Sequence, residues 1–162
     1  MRMLELGVKT HRVTSHHLLA LLSRKPAGLI LEVTDGTREC NDSNHRVSTF
    51  YDLVKDAPLR MAFTLVHELR PHRCTAVAVS PGRLRSEMVL ENYGVDETTW
   101  KSSTAEDGHF AAISDSPRFV SRGVAALAAD PSVFARTGAS FCSGGPARDY
   151  GITDVDGSVP DC

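Results

Sequence analysis

Apolar residues recur at helical spacing from residue 3 to 24, where Leu4, Val8, His11, Leu18, Leu19 and Leu22 fall near one face. Arg24-Lys25 suits the negative end of that helix, and Pro26 and Gly28 stop it. Gly28 to Thr34 is a short run rich in branched residues and predicts a buried strand. A polar loop is expected from Asp35 to Asn44. Ser48 is placed to cap a second long helix running to about Leu69, before Pro71. Pro58 falls inside that helix and predicts a kink just after Lys55, because an interior proline removes a backbone hydrogen bond. Cys74 to Ser80 predicts a second buried strand, and Pro81-Gly82 a turn. A loop-like stretch over 83–115 holds one short helix near 84–91. Pro117 to Ala129 has helical spacing, Ser140 to Ser143 a third short strand, and 147–162 a turn-rich tail. Helices alternating with strands predict an α/β fold with a parallel sheet and right-handed crossovers.

The chain has 162 residues, enough for one domain with a real core, and its 41% hydrophobic and 23% charged content fits a globular protein. A net charge of −2 gives no electrostatic case for nucleic acid or a membrane surface. No run is long enough for a signal peptide or membrane span, and a cytoplasmic protein is expected. Cys40, Cys74, Cys142 and Cys162 are scattered without a C-x-x-C pair, which indicates neither zinc nor a disulfide framework; Cys74 and Cys142 read as buried thiols.

The chemistry concentrates at Tyr51-Asp-Leu-Val-Lys55. Four residues apart on a helix, Tyr51 and Lys55 share a face. An ammonium beside a phenol favours the phenolate, so the tyrosine pKa is expected to fall and the side chain to act as general acid or base.

Tyr51-x-x-x-Lys55, the His67-Glu-Leu-Arg70 helix exit, the apolar strand and Pro81-Gly82 together resemble the short-chain dehydrogenase/reductase family, from the start of the chain to about Asp154. The resemblance implies the C-terminal part of a Rossmann-like doubly wound sheet, with about three strands. None of the 12 glycines forms the glycine-rich strand-to-helix turn that holds pyrophosphate, and by resemblance that half would lie before residue 1. Such a chain would be a single partial domain with an unpaired sheet edge at strand 28–34. The resemblance further implies NAD or NADP as cofactor and a small carbonyl or alcohol substrate. Tyr51 would be the acid/base, and Lys55 its activator and a contact to the nicotinamide ribose. Pro81 and Gly82 would line the nicotinamide, with Ser86 where the family often has a cofactor-contacting threonine. Asp35 falls best on the catalytic serine, with Thr34 adjacent. An ionised aspartate accepts but cannot donate a hydrogen bond, which leaves the threonine hydroxyl to stand in. The helices at 3–24 and 48–70 resemble the family's subunit interface and imply a homodimer. Departures from the family pattern fall at Gly7 (an asparagine), Arg73 (a glycine), Arg83 and Pro58. They raise a second expectation, a non-catalytic homologue that at most pairs with itself or a related subunit.

Other motifs point less far. His67 and His72 are five apart and Pro71 breaks their helix, unlike H-E-x-x-H zinc sites. His16-His17 has no carboxylate or cysteine at ligand spacing and reads as a polar helix face. Asp154-Val-Asp-Gly157 lacks the further carboxylates of a calcium loop. Tyr93 and Trp100 either line a substrate pocket or pin their loop to the domain.

Overall fold

The computed structural model describes residues 2–24, 26–103 and 108–161. Lys25 and Cys162, both named above, lie outside the described residues. The chain divides into two units, one of residues 1–80 and 128–141, the other of 81–127 and 142–162.

The first unit is a helix-covered sheet. Its opening helical segment, α1, comprises Arg2–Leu4, a π-helical turn Glu5–Lys9, and Thr10–Leu22. The strand β1 (Leu29–Val33) pairs in parallel with β2 (Thr75–Ser80), from Leu29 opposite Thr75 to Val33 opposite Val79. With β5 (Ser140–Cys142) they form a three-stranded sheet ordered β1-β2-β5. Every residue of β2 is buried, as expected of a central strand covered on both faces. Between β1 and β2 come a short helix, α2 (Arg38–Ser43), and the long helix α3 (Thr49–Leu69).

The helix α2 occupies the middle of the expected polar loop. Thr37 caps it by accepting from the Cys40 amide at 3.3 Å, a local bond that a polar composition does not advertise. Ser48 caps α3 as its sequence position suggests, accepting from the Tyr51 amide at 3.3 Å. The helix continues through Pro58 to Leu69. Its buried stripe of Val54, Pro58, Leu59, Ala62, Leu65 and Leu69 covers the sheet. Leu65 and Leu69 meet Ile30, Cys74 and Ala76, while Leu59 and Ala62 meet Ala78. At Gly7 a Cβ would stand 2.2 Å from Val54 Cγ1, so glycine is what lets α1 approach α3 one residue before Lys55. Arg73 ends the exit of α3 in the left-handed region at φ 53°, a conformation that favours glycine.

The second unit contains β3 (Arg83–Leu84) paired in parallel with β4 (Ser114–Asp115), and α4 (Glu87–Tyr93), α5 (Trp100–Ser103), α6 (Gly108–Ile113) and most of α7 (Pro117–Ala129). It ends with α8 (Gly144–Tyr150). The last of these takes up residues 147–150 of the expected turn-rich tail, while 151–161 are turns and irregular backbone as expected. Pro146 sits in the first turn, where its missing N–H costs nothing, so Gly144-Gly145-Pro146 opens a helix. Cys74 is buried as expected, whereas Cys142 is half-exposed. Among the described residues no helix is long and apolar enough to cross a membrane.

Candidate active site

Four of the seven nominated residues converge where β1 ends. The α3 cap turns Tyr51 and Lys55 toward the segment leaving β1, and Thr34 and Asp35 lie on that segment. The Tyr51 hydroxyl donates to Asp35 Oδ2 at 2.7 Å. Lys55 Nζ stands 5.5 Å from the centre of the Tyr51 ring, over its face. The Thr34 hydroxyl donates to the Lys55 carbonyl and so ties β1 to α3. Outer ends of parallel strands are where open α/β sheets bind ligands.

Burial and the bond to Asp35 push the Tyr51 phenol up to about 12. This reverses the direction expected from Tyr51 and Lys55 alone. A phenolate beside the Asp35 carboxylate would bring two anions together, and that outweighs the downward pull of nearby Arg46.

Arg46 was not visible in the motif reading. Its Nη1 donates to Asp35 Oδ1, and its Nη2 lies 3.3 Å from Cys40 Sγ. One signal for it exists in the sequence: it is the one Lys or Arg between Arg38 and Lys55. It is thus the cation that the sequence places between α2 and α3, and the Asp35 it meets is partly exposed. Gly36 makes the turn possible, with φ +90° and an amide that donates to Ser80 Oγ at 2.7 Å. A Cβ there would sit 2.0 Å from Asn41 Oδ1.

Pro81, Gly82 and Ser86 belong to the other unit. There the Gly82 amide donates to Asp115 Oδ2 at 3.1 Å, and the Ser143 hydroxyl donates to the same oxygen at 2.5 Å. Burial pushes the Asp115 carboxyl above its ordinary range, against the pull of these donors, and its Oδ1 has no partner among the described residues. Ser86 caps α4, accepting from the Val89 amide at 3.4 Å. Arg85 organises the stretch that follows. It pairs with Asp154 and Glu97, each at 3.0 Å, and its guanidinium lies 4.2 Å from the Trp100 ring centre. Tyr93 and Trp100 both pack on Phe110, with ring centres 4.7 and 6.2 Å away. Both therefore hold their own unit together.

No family model matches the chain. It is 31% identical over 157 residues to dehydrogenase/reductase SDR family member 1 of Mus musculus, a match covering 93% of this chain. The chain is a relative of the short-chain dehydrogenase/reductases. It spans 47% of that mouse protein's length, about half. Solved structures agree on the fold. A short-chain dehydrogenase from Mycobacterium thermoresistibile superposes with TM-score 0.67 at 19% identity, covering 98% of this chain and 52% of that one. A 4-hydroxyisoleucine dehydrogenase mutant complexed with NADH and succinate gives TM-score 0.66 at 15% identity, covering 86% and 55%. The fold is thus part of a Rossmann-like α/β architecture of this family.

The described residues fit one end of a nicotinamide cofactor. Lys55 and Tyr51 offer an ammonium and a hydroxyl on adjacent helical turns, a donor pair suited to ribose hydroxyls. The turn after β1 does not suit pyrophosphate, since it presents the Asp35 carboxylate and leads into a six-residue helix.

Proposed function

We propose that the chain carries the proton-transfer machinery of an NAD(P)-dependent carbonyl/alcohol oxidoreductase, with Tyr51 as the proton donor. The observation that carries this reading is the Tyr51 hydroxyl bonded to the Asp35 carboxylate at the end of β1, with the Lys55 ammonium over the Tyr51 ring. A bound nicotinamide supplies or accepts the hydride. In the reducing direction Tyr51 gives its proton to the substrate oxygen, Lys55 offsets the charge left on the phenolate, and solvent returns the proton. Pushed up to about 12, Tyr51 is protonated at neutral pH but holds its proton more tightly than a free phenol. Donation therefore requires the substrate oxygen to displace the Asp35 carboxylate. Lys55 would also hold the ribose.

The test is calorimetric titration of the purified chain with NADH and NADPH, alongside Lys55→Ala and Tyr51→Phe. Saturable binding weakened about tenfold or more in Lys55→Ala, the scale of one charge-assisted hydrogen bond, supports the reading. No binding at millimolar cofactor to a folded chain overturns it.

A second reading, a pairing module, draws on exposed apolar side chains. Val13, Leu18 and Leu21 on α1 and Phe50, Leu53 and Phe63 on α3 are exposed. Beside the first set, Leu4, Val8 and Val13 line an open groove of about 510 Å³. Isolated exposed apolar residues are ordinary, whereas several on two neighbouring helices suit a second copy of the chain.

A further inference from the structure

The site contains a carboxylate bonded to the very hydroxyl that must deliver a proton, and this demands an account. Left to itself, Asp35 at the end of β1 could turn outward to water, since its side chain is about one-third exposed. It does not turn outward, because Arg46 reaches across from the loop before α3 and takes Oδ1, leaving Oδ2 aimed at Tyr51. The loop is built to bring Arg46 there. Asn41 Nδ2 donates to the Asp35 carbonyl at 3.4 Å, and Asn44 Nδ2 donates to the Cys40 carbonyl at 2.9 Å. Cys40 in turn stands against the second arm of the guanidinium. Directly after Arg46, Val47 adopts φ 46°, a left-handed conformation that is strained for a β-branched residue. Val47 is also 85% exposed, so no side-chain burial offsets that strain. The reversal at Val47 starts α3 at Ser48 while keeping Arg46 on Asp35.

We propose that Arg46 is a positioning residue: by pairing with Asp35 it fixes that carboxylate as the acceptor of the Tyr51 hydroxyl, so that the hydroxyl has a set direction until a substrate oxygen displaces the carboxylate. The inference rests on the reading of Tyr51 as proton donor, but its structural content, a Tyr51–Asp35–Arg46 relay, can be measured without turnover. The charged and titratable groups around Tyr51 are Asp35 at its hydroxyl, Lys55 over its ring, Arg46 behind Asp35, and Cys40 behind Arg46. The relay fixes one sign for two neighbours. Removing the Arg46 cation frees Asp35 to turn to water, which takes both the acceptor and the repulsion from Tyr51, so Tyr51 must titrate lower. Removing the Asp35 charge takes away the repulsion and leaves only a neutral amide acceptor, and Tyr51 must again titrate lower.

The experiment is ¹⁹F NMR of the full chain labelled with 3,5-difluorotyrosine, whose phenol is intrinsically more acidic, so that titration falls where the chain is folded. The Tyr51 resonance is assigned by its loss in Tyr51→Phe. The expected result is a downward shift of the Tyr51 midpoint in both Arg46→Gln and Asp35→Asn, of about one pH unit or more in the latter. Arg46→Lys, which keeps the cation, should titrate within a few tenths of a unit of the wild type, about the size expected when a charge moves but remains. An unmoved or raised midpoint in folded Arg46→Gln overturns the proposal, because Asp35 then keeps its place without the cation, and so does an unmoved or raised midpoint in Asp35→Asn. Should Arg46→Gln fail to fold, Arg46→Met, uncharged and of similar length, carries the same decision. Failure of cofactor binding with the relay intact would instead count against the oxidoreductase reading alone.

Discussion

Tyr51 shows how a neighbour can invert the effect that a motif implies. Spacing alone sets Lys55 beside the phenol and suggests a lowered pKa. The structure adds Asp35 at 2.7 Å, and burial together with this acceptor moves the phenol the other way, to about 12. The consequence for stability has a definite sign. An unfolded tyrosine titrates near 10, so the folded state binds the proton more tightly. The stabilisation is complete below pH 10 and is lost as pH rises from 10 toward 12. Because the site is partly exposed, solvent screening reduces the contribution to about 1 kcal/mol. Urea unfolding at pH 9 and at pH 11.5 should show the wild type losing about 1 kcal/mol more than Tyr51→Phe over that interval. Equal losses in the two proteins would mean that Tyr51 and Asp35 are not bonded in solution.

At the scale of the element, α3 carries both the core and the chemistry. Its apolar stripe, its Ser48 cap and its end near Pro71 were legible in the sequence, because each depends on residues close together in the chain. The strands β1 and β2 were legible for the same reason, as short branched runs ended by glycine or proline. The helices α2 and α8 were not. The first depends on the Thr37 cap and on bonds from Asn41 and Asn44, and the second on a proline whose place in the first turn makes it harmless. Arg46 was missed because its partner is a carboxylate eleven residues away across a loop, beyond any helical or strand period. Pro58 gives α3 a testable weakness. The helix continues through it, yet the Val54 carbonyl loses the amide it would normally receive, at a cost of about 3 kcal/mol. Pro58 is fully buried, and Pro58→Ala would forgo roughly two buried methylenes at about 0.8 kcal/mol each. The substitution should therefore stabilise the chain by about 1 kcal/mol, seen as a higher urea midpoint at unchanged slope. A lower midpoint would mean that packing of the ring outweighs the missing bond.

At the scale of the molecule, the decisive feature is the open side of β1. The sheet order places β1 outermost among the described strands, beside β2 alone. Its inward bonds can be read from the ends: the Thr34 amide donates to Val79 O at 3.0 Å, and Gly28 O accepts from the Thr75 amide at 2.7 Å. Both are even-numbered, and strand groups alternate in direction, so Ile30 and Glu32 also bond toward β2. Leu29, Leu31 and Val33 then turn their amides toward the open side, and the Val33 side chain is 47% exposed. An edge of this kind, apolar and short of charge, is a template for another strand. We expect the purified 162-residue chain to self-associate in a concentration-dependent way, by sedimentation velocity. Two surfaces could cause this, the strand edge and the apolar faces of α1 and α3, and a single proline separates them. Leu31→Pro removes an outward amide without touching the β1–β2 ladder, so it should suppress edge pairing and leave the monomer folded. Leu21→Glu, on the exposed face of α1, should instead suppress pairing through the helices. Loss of association in Leu31→Pro alone would assign the contact to the sheet, and loss in Leu21→Glu alone would assign it to the helices. A chain that stays monomeric at every concentration would show that neither surface drives assembly, which would remove the support for the pairing reading.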